Sequence, residues 1–330
     1  MFALTFLFSC FIFYRKEFLS ERRFMIVSTQ ETMINWFPGH MAKARRLLSD
    51  QVQKADLILE LCDARIPFSS RNPDLDALSR GKKRLLLLNK ADLADPGETK
   101  KWVSFFQRSG LEAFPVDSLK LKNKEMLSLL SQATKAITEK ALSRGIRKTV
   151  RAMVVGVPNV GKSTLINHLH GSGVVQTGDR PGVTRSNHWV RITPYLELMD
   201  SPGLLWPRLD DQQAARRLCY IGSVKDDVVD LEMLAIRLLE DLKEICPEAV
   251  KSRFHLESLD FSGAELLEAV CRGRGWLLKG NRYDYDRACR VILDEFRGGK
   301  LGRITLESPK KTEEKQDDRQ DGPLDGADGL

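Results

Sequence analysis

The stretch Gly156-Val157-Pro158-Asn159-Val160-Gly161-Lys162-Ser163-Thr164 constrains this chain more than any other. Two glycines separated by four residues and followed by Lys and Ser form the phosphate-binding loop pattern. A backbone curled at Gly156 and Gly161 turns its N–H groups toward a triphosphate, and a side chain at either position would obstruct that. Lys162 is placed to reach the β- and γ-phosphates, and the Ser163 hydroxyl to ligate Mg²⁺. The flanks agree with the motif. Residues 151–155 form a short, largely apolar run that reads as a buried strand, and residues 162–170 read as a helix whose N-terminus faces the anion. A nucleoside-triphosphate site follows. The alternative, a bare glycine-rich turn, leaves both flanks unexplained.

Upstream, residues 56–62 read as a strand that ends in Asp63-Ala64-Arg65-Ile66-Pro67. A helix over 74–79 leads to a strand over 84–88, which runs into Asn89-Lys90-Ala91-Asp92, an N-K-x-D motif. In such a motif the Asp accepts hydrogen bonds from guanine N1–H and the 2-amino group. Adenine lacks those donors, so an unpaired carboxylate rejects it. Asn89 is expected to brace the loop and Lys90 to pack along the base. Residues 99–109 read as a helix and 112–116 as a strand, closed by Asp117-Ser118-Leu119-Lys120 in the position of a second base-contacting loop. A helix over 124–141 and a linker over 144–151 return the chain to the phosphate loop. Alternating strands and helices predict a doubly wound, mainly parallel α/β sheet.

Beyond the loop, Gly178-Asp179-Arg180-Pro181-Gly182-Val183-Thr184 suits a switch whose threonine closes on Mg²⁺ and the γ-phosphate. A strand over 196–199 delivers Asp200-Ser201-Pro202-Gly203, a D-x-x-G motif. Asp200 would reach the metal through water and the Gly203 N–H would meet the γ-phosphate. The residues expected around nucleotide and Mg²⁺ are therefore Asn89, Lys90, Ala91, Asp92, Asp117, Ser118, Pro158, Asn159, Val160, Gly161, Lys162, Ser163, Thr164 and Gly203, with Ser163, Thr184 and Asp200 toward the metal. From 210 onward the pattern turns helical, over 212–222, 230–245, 263–271 and 283–296, with Pro247 and several glycines as breakers. Arg272-Gly273-Arg274-Gly275-Trp276 and Lys279-Gly280-Asn281-Arg282-Tyr283 put basic and aromatic side chains on loops, either as contacts to RNA or as a solvated surface.

Charge is unevenly placed. The whole chain carries +7, but residues 310–330 hold four basic and seven acidic residues, a net −3, which leaves +10 on the rest. A basic body suits a polyanionic partner such as RNA, or is simply a basic surface. The six cysteines include no C-x-x-C pair, so free thiols in a reducing compartment are expected, with no zinc site. Residues 1–14 are apolar and uncharged, too short to span a bilayer comfortably, and followed by Arg15 and Lys16. Positive charge does not come first and no small-residue cleavage site follows, unlike a signal peptide. A start at Met33, or at Met25, is the preferred explanation, and a membrane anchor the alternative. The next run, Ile34-Asn35-Trp36-Phe37-Pro38-Gly39-His40-Met41-Ala42-Lys43-Ala44, starts a helix near His40. On this segment alone His40 is a capping or packing residue or a functional one.

The motif order then becomes decisive. In ordinary GTPases N-K-x-D comes last, whereas Asn89 here precedes Gly156 by about seventy residues. That order resembles the circularly permuted GTPases, and the N-W-F-P-G-H and D-A-R-I-P runs resemble one branch, ribosome biogenesis GTPase A (YlqF/RbgA), with likeness from 33 to 307. The resemblance implies a GTP hydrolase acting late in assembly of the bacterial large ribosomal subunit. It implies a helical domain that contacts 23S rRNA and release on hydrolysis, in a cytoplasmic monomer with no stable membrane association. It divides the chain into an N-terminal extension (1–32), a permuted GTPase domain (33–208), a helical RNA-binding domain (209–305) and an acidic, disordered tail (306–330). Leu204 stands where most small GTPases carry a water-orienting glutamine, and the resemblance assigns that role to His40. It also likens Asn159 to the asparagine of potassium-stimulated GTPases, with a structural asparagine as the alternative. The loop Asp117-Ser118-Leu119-Lys120 departs from the Ser-Ala-Lys or Asn-Ser of relatives. A small-subunit branch does not fit, because the segment before Asp56 is too short for an oligonucleotide-binding barrel. A GTP-dependent RNA chaperone with incidental hydrolysis is the rival reading.

Overall fold

The computed structural model describes residues 38–171, 189–201, 211–310 and 312, with side chains from Arg45 onward. The expectations for residues 1–32, for Thr184, Gly203 and Leu204, and for the His40 side chain lie outside the described residues. A helix, α1 (Pro38–Lys54), leads into β1 (Leu57–Asp63), which is buried along its whole length. The sequence Leu-Ile-Leu-Glu-Leu-Cys-Asp does not alternate, as expected for a central parallel strand covered on both faces. α2 (Asp74–Leu78), β2 (Lys83–Asn89), α3 (Pro96–Arg108), β3 (Glu112–Pro115), α4 (Asn123–Leu142), β4 (Val150–Gly156) and α5 (Lys162–His170) follow. Then come β5 (Trp189–Thr193) and β6 (Leu196–Asp200).

The sheet order is β3-β2-β1-β4-β6-β5, parallel except for the edge pair β5–β6. The order runs outward in both directions from β1 and β4, so the crevice at their carboxyl ends is the topological switch point where open α/β sheets bind ligands. The mainly parallel doubly wound sheet is thus as the sequence predicts. β5 is an addition. It is a half-buried antiparallel edge strand with a register shift between Arg191 and Thr193, and residues 185–195 carry too little alternation to announce it.

Both faces of the sheet are covered. Cys62, Leu86 and Leu88 pack with Trp102 and Phe106 of α3, while Ile58, Met153 and Val155 pack with Leu48 and Val52 of α1. By strand register these residues share one face. Glu60 lies on it too, buried, and is held by Arg71 at 3.1 Å and Arg84 at 3.7 Å. α4 and α5, both against β4, serve the other face, as the handedness rule for parallel crossovers predicts. There Leu59, Leu87 and Val154 are fully buried, as are Leu165 and Ile166 of α5.

The rest is helical: α6 (Gln212–Tyr220), a 3₁₀ turn (Asp226–Val228), α7 (Leu231–Ile245), α8 (Pro247–Phe254), α9 (Gly263–Arg274) and α10 (Tyr285–Arg297). α7 is the hub against which the other four pack. Two elements depart from expectation. Pro247 starts a helix instead of breaking one, because a proline at the first helical position forfeits only an N–H that has no intrahelical partner. Residues 277–283 form a small hairpin, β7 (Leu277–Leu278) with β8 (Arg282–Tyr283), turning through Gly280 and Asn281 at positive φ. Gly273 permits α9 to press on the end of α8, where a Cβ would collide with the Phe254 carbonyl.

The segment 300–307 does not belong to a tail. Leu301, Ile304, Thr305, Leu306 and Glu307 are all buried, and Glu307 is bonded to the first loop of the α/β domain. The boundary expected at 305/306 is therefore corrected: Leu306 and Glu307 are part of the folded body. The five described cysteines are free thiols, and no described helix is long and apolar enough to cross a membrane.

Candidate functional site

Four strand ends converge at the switch point. The register sets Leu61 of β1 beside Gly156, Asp63 beside Asn89 of β2, and Val154 of β4 beside Asp200 of β6. The D-A-R-I-P run, N-K-x-D, the phosphate loop and D-x-x-G each leave the carboxyl end of one of these strands, and the 117–120 loop follows β3. Gly156 and Gly161 have separate steric reasons to lack side chains. A Cβ on Gly156 would overlap the Leu61 carbonyl oxygen, and one on Gly161, at φ +102°, would overlap the Asn89 amide.

That close approach is used. Asn89 Nδ2 donates to Val160 O at 2.7 Å, and Asn89 Oδ1 accepts from Ser118 N at 3.0 Å and Ser118 Oγ at 2.7 Å. One buried amide thus joins the N-K-x-D loop, the phosphate loop and the 117–120 loop. Lys90, at φ +58°, donates from Nζ to Asn159 O at 2.8 Å and pairs with Asp63 at 3.4 Å. Ala91 N donates to Val116 O at 3.1 Å, setting the two base-contacting loops side by side. Asp92 is exposed at the rim of this corner. Asp117 Oδ1 accepts from Leu119 N at 2.9 Å and Lys120 N at 3.3 Å, so its carboxylate closes its own turn. The departure at Asp117 therefore has a local structural role, while Ser118 supplies the inter-loop contact.

On the phosphate side, Lys162 is buried and its Nζ donates to Val157 O at 2.9 Å and Gly156 O at 3.2 Å. Burial pushes its ammonium down to about 8, with Asp200 opposing the shift. A phosphate alongside would restore the charge. Ser163 Oγ donates to Asp200 Oδ2 at 2.6 Å. A hydroxyl and a carboxylate with no sulfur or imidazole among them form a hard-oxygen pair of the kind Mg²⁺ takes together with substrate phosphates and water. Ser163 and Asp200 would hold the ion, which would supply charge to the transferring phosphoryl group. Thr164 lies half-buried one residue along α5.

The helical part grips the same loop from outside. Asn159 Nδ2, at a residue with φ +60°, donates to Gly222 O at 2.6 Å, and Ser223 Oγ donates to Pro158 O at 2.7 Å. These contacts were not legible in sequence, because nothing marks Gly222 or Ser223 as partners of a loop sixty residues upstream.

The D-A-R-I-P run turns out to be the other junction. Arg65 and Asp63, both fully buried, form a two-pronged pair at 2.9 and 2.8 Å. Burial alone would raise the Asp63 carboxyl, but Arg65 and then Lys90 outweigh it and hold it well below the usual carboxylate range. Arg65 Nη1 donates to Phe296 O and Arg297 O, both at 3.1 Å, so the guanidinium also caps the carbonyl end of α10. Arg297 in turn bonds the α6 carbonyls of Tyr220 and Cys219 and pairs with Asp226 at 2.7 Å. An Asp and an Arg two apart at a strand end were the available signal, but their partner helix lies over 230 residues away.

The RNA-facing expectation is partly revised. Trp276 is buried, and Arg274 stacks on it at 5.0 Å and bonds Arg253 O and Glu295, so both are packing residues. Arg272, Lys279 and Arg282 remain exposed beside the hairpin, with Leu277 and Leu278.

Comparison with known proteins agrees with this geometry. The protein-family model described as "50S ribosome-binding GTPase" matches residues 151–253, which include the phosphate loop and Asp200, while Asn89–Asp92 lie upstream of the match. Ribosome biogenesis GTPase A of Bacillus cereus is 41% identical over 288 residues, 87% of this chain and 97% of its own length. The protein of the same name from Thermotoga maritima is 31% identical, covering 84% of this chain and 95% of its own. A GDP-bound YlqF structure superposes with a TM-score of 0.62 at 29% identity, over 80% of this chain and all of that one. With the motifs joined in one corner and relatives alike over nearly their whole length, the chain is a GTPase and belongs to the ribosome biogenesis GTPase A family.

Proposed function

We propose that this GTPase binds a late precursor of the large ribosomal subunit in its GTP state and leaves on hydrolysis, working in the cytoplasm as a monomer. The observation that carries the nucleotide reading is the Asn89 amide, which ties the guanine motif to Val160 of the phosphate loop and Ser118 of the second base loop. In this reading Asn89, Lys90, Ala91, Asp92, Asp117 and Ser118 surround guanine, and Pro158 to Thr164 cradle the phosphates. Ser163 and Asp200 face Mg²⁺, with Thr184 and Gly203 completing the site. His40 orients the attacking water. Asn159, tied to the helical part through Gly222 O, is the K⁺ ligand in this reading. The exposed cations of the β7–β8 hairpin, with Tyr283 beside them, support contact with 23S rRNA and neighbouring ribosomal proteins.

The test is GTP turnover by the purified chain in K⁺ or Na⁺, alone and with large or small subunits. Stimulation by large subunits in K⁺ is expected, with His40→Ala binding GTP normally but losing that stimulation. Unstimulated turnover with tight GTP binding would instead favour an RNA chaperone, and full stimulation of His40→Ala would remove His40 from catalysis.

A further inference from the structure

The loop that carries Asp92 does not hold itself in place. Asp92 is exposed, and Lys90 before it sits in the left-handed region, which costs a non-glycine residue about 1 kcal/mol or more. Within the loop the Leu93 N–H bonds Lys90 O at 2.9 Å, but the outward carbonyls are met by a segment more than 200 residues away. Arg303 Nη2 donates to Ala91 O and Arg303 Nε to Ala94 O, each at 2.9 Å. Ile304 N donates to Leu93 O at 3.0 Å, and Asp95 N donates to Thr305 Oγ1 at 3.1 Å. The strap 303–305 therefore bonds main-chain groups on both sides of Asp92. The strap is itself anchored: Leu306 N donates to Arg65 O at 2.8 Å, and Glu307 accepts from Phe68 N and Ser69 N and pairs with Arg217 at 3.2 Å.

We infer that Arg303 is a positioning residue for guanine recognition, its guanidinium fixing the turn that aims Asp92 at the base. The inference rests on the reading of Asn89-Lys90-Ala91-Asp92 as the base loop. Arg303 touches no reacting atom, so its contribution falls on affinity and base discrimination and not on the chemical step. Since the side chain is exposed, its replacement leaves the folded core intact.

Removing two charge-assisted hydrogen bonds at a solvent-facing site is expected to weaken GDP binding by about tenfold. Arg303→Ala should raise the Kd for GDP and the KM for GTP by that factor with kcat unchanged. It should also narrow the preference for GDP over IDP, which lacks the 2-amino group. Arg303→Lys, which can still reach one carbonyl, should recover part of the loss. Affinities within twofold of the parent chain for Arg303→Ala overturn the inference. Asp92→Asn separates the two levels, because a carboxamide can donate to the 2-oxo group of xanthine and so should move preference from GDP to XDP. If that switch occurs while Arg303→Ala binds normally, only the clamp is wrong. If it does not occur, the base-loop reading fails and takes the clamp with it.

Discussion

Replacing Arg65 with Met removes the charge that two distant parts of the molecule share. Arg65 is fully buried, neutralises Asp63 through two bonds, and supplies the donor for Phe296 O and Arg297 O at the end of α10. Breaking a buried pair by removing one partner costs about 3–5 kcal/mol, since the remaining charge is left without compensation. Lys90, at 3.4 Å, offsets only part of that, and the two α10 carbonyls lose their donor as well. Set against a typical stability of about 5–15 kcal/mol, the variant should unfold at a markedly lower urea concentration. Urea melts at several pH values add a signature that a simple packing defect lacks. In the parent chain Asp63 is held below its unfolded pKa, so its contribution is complete above about pH 4 and is lost only as pH falls further. In Arg65→Met burial dominates and raises the carboxyl above its unfolded value. The deficit should then grow as pH rises from about 4 to 7 and shrink at the acid end. Adding Asp63→Asn should return about 2 kcal/mol by removing the orphaned charge. A loss under about 1 kcal/mol, or a deficit independent of pH and unrelieved by Asp63→Asn, would refute this account of the junction.

Other consequences are open to direct measurement. Gly161→Ala puts a methyl group onto the Asn89 amide at a φ of +102°, so GDP binding should fall by about a hundredfold or more while far-ultraviolet circular dichroism stays unchanged. Normal binding would mean that the loop tolerates a Cβ. Lys162, pushed down to about 8 by burial, must be protonated to meet phosphate, so Mg·GDP binding at pH 8 should take up about half a proton. Calorimetry in buffers of different ionisation enthalpy reads this uptake; it should vanish toward pH 6.5 as the ammonium becomes fully charged beforehand, and its absence at pH 8 would contradict the perturbed lysine. Glu307→Ala leaves Ser69 N, Phe68 N and Arg217 without their buried acceptor and should destabilise the chain by about 2–4 kcal/mol. A change within about 0.5 kcal/mol would mean the strap is not anchored there.

The chain's own letters determined a great deal. Runs such as Leu-Ile-Leu-Glu-Leu-Cys and Arg-Leu-Leu-Leu-Leu, each ending in Asp or Asn, announced buried parallel strands with polar residues delivered at their carboxyl ends. Gly156 and Gly161 announced the phosphate loop because close backbone approach has a local sequence requirement, and the early Asn89-Lys90-Ala91-Asp92 announced the permutation because order is read along the chain. What only the tertiary structure decided were the pairings between distant segments. Trp276 looked like a surface aromatic and is core; Pro247 looked like a break and is a helix start; Leu306 and Glu307 looked like tail and are buried. The Asn159–Gly222, Arg65–α10 and Arg303–Ala91 contacts join residues from about 60 to more than 230 positions apart. Periodicity and short motifs report what a segment needs for itself, whereas such a contact depends on which carbonyl happens to face a given side chain once the sheet and helices have packed, and no local pattern encodes that.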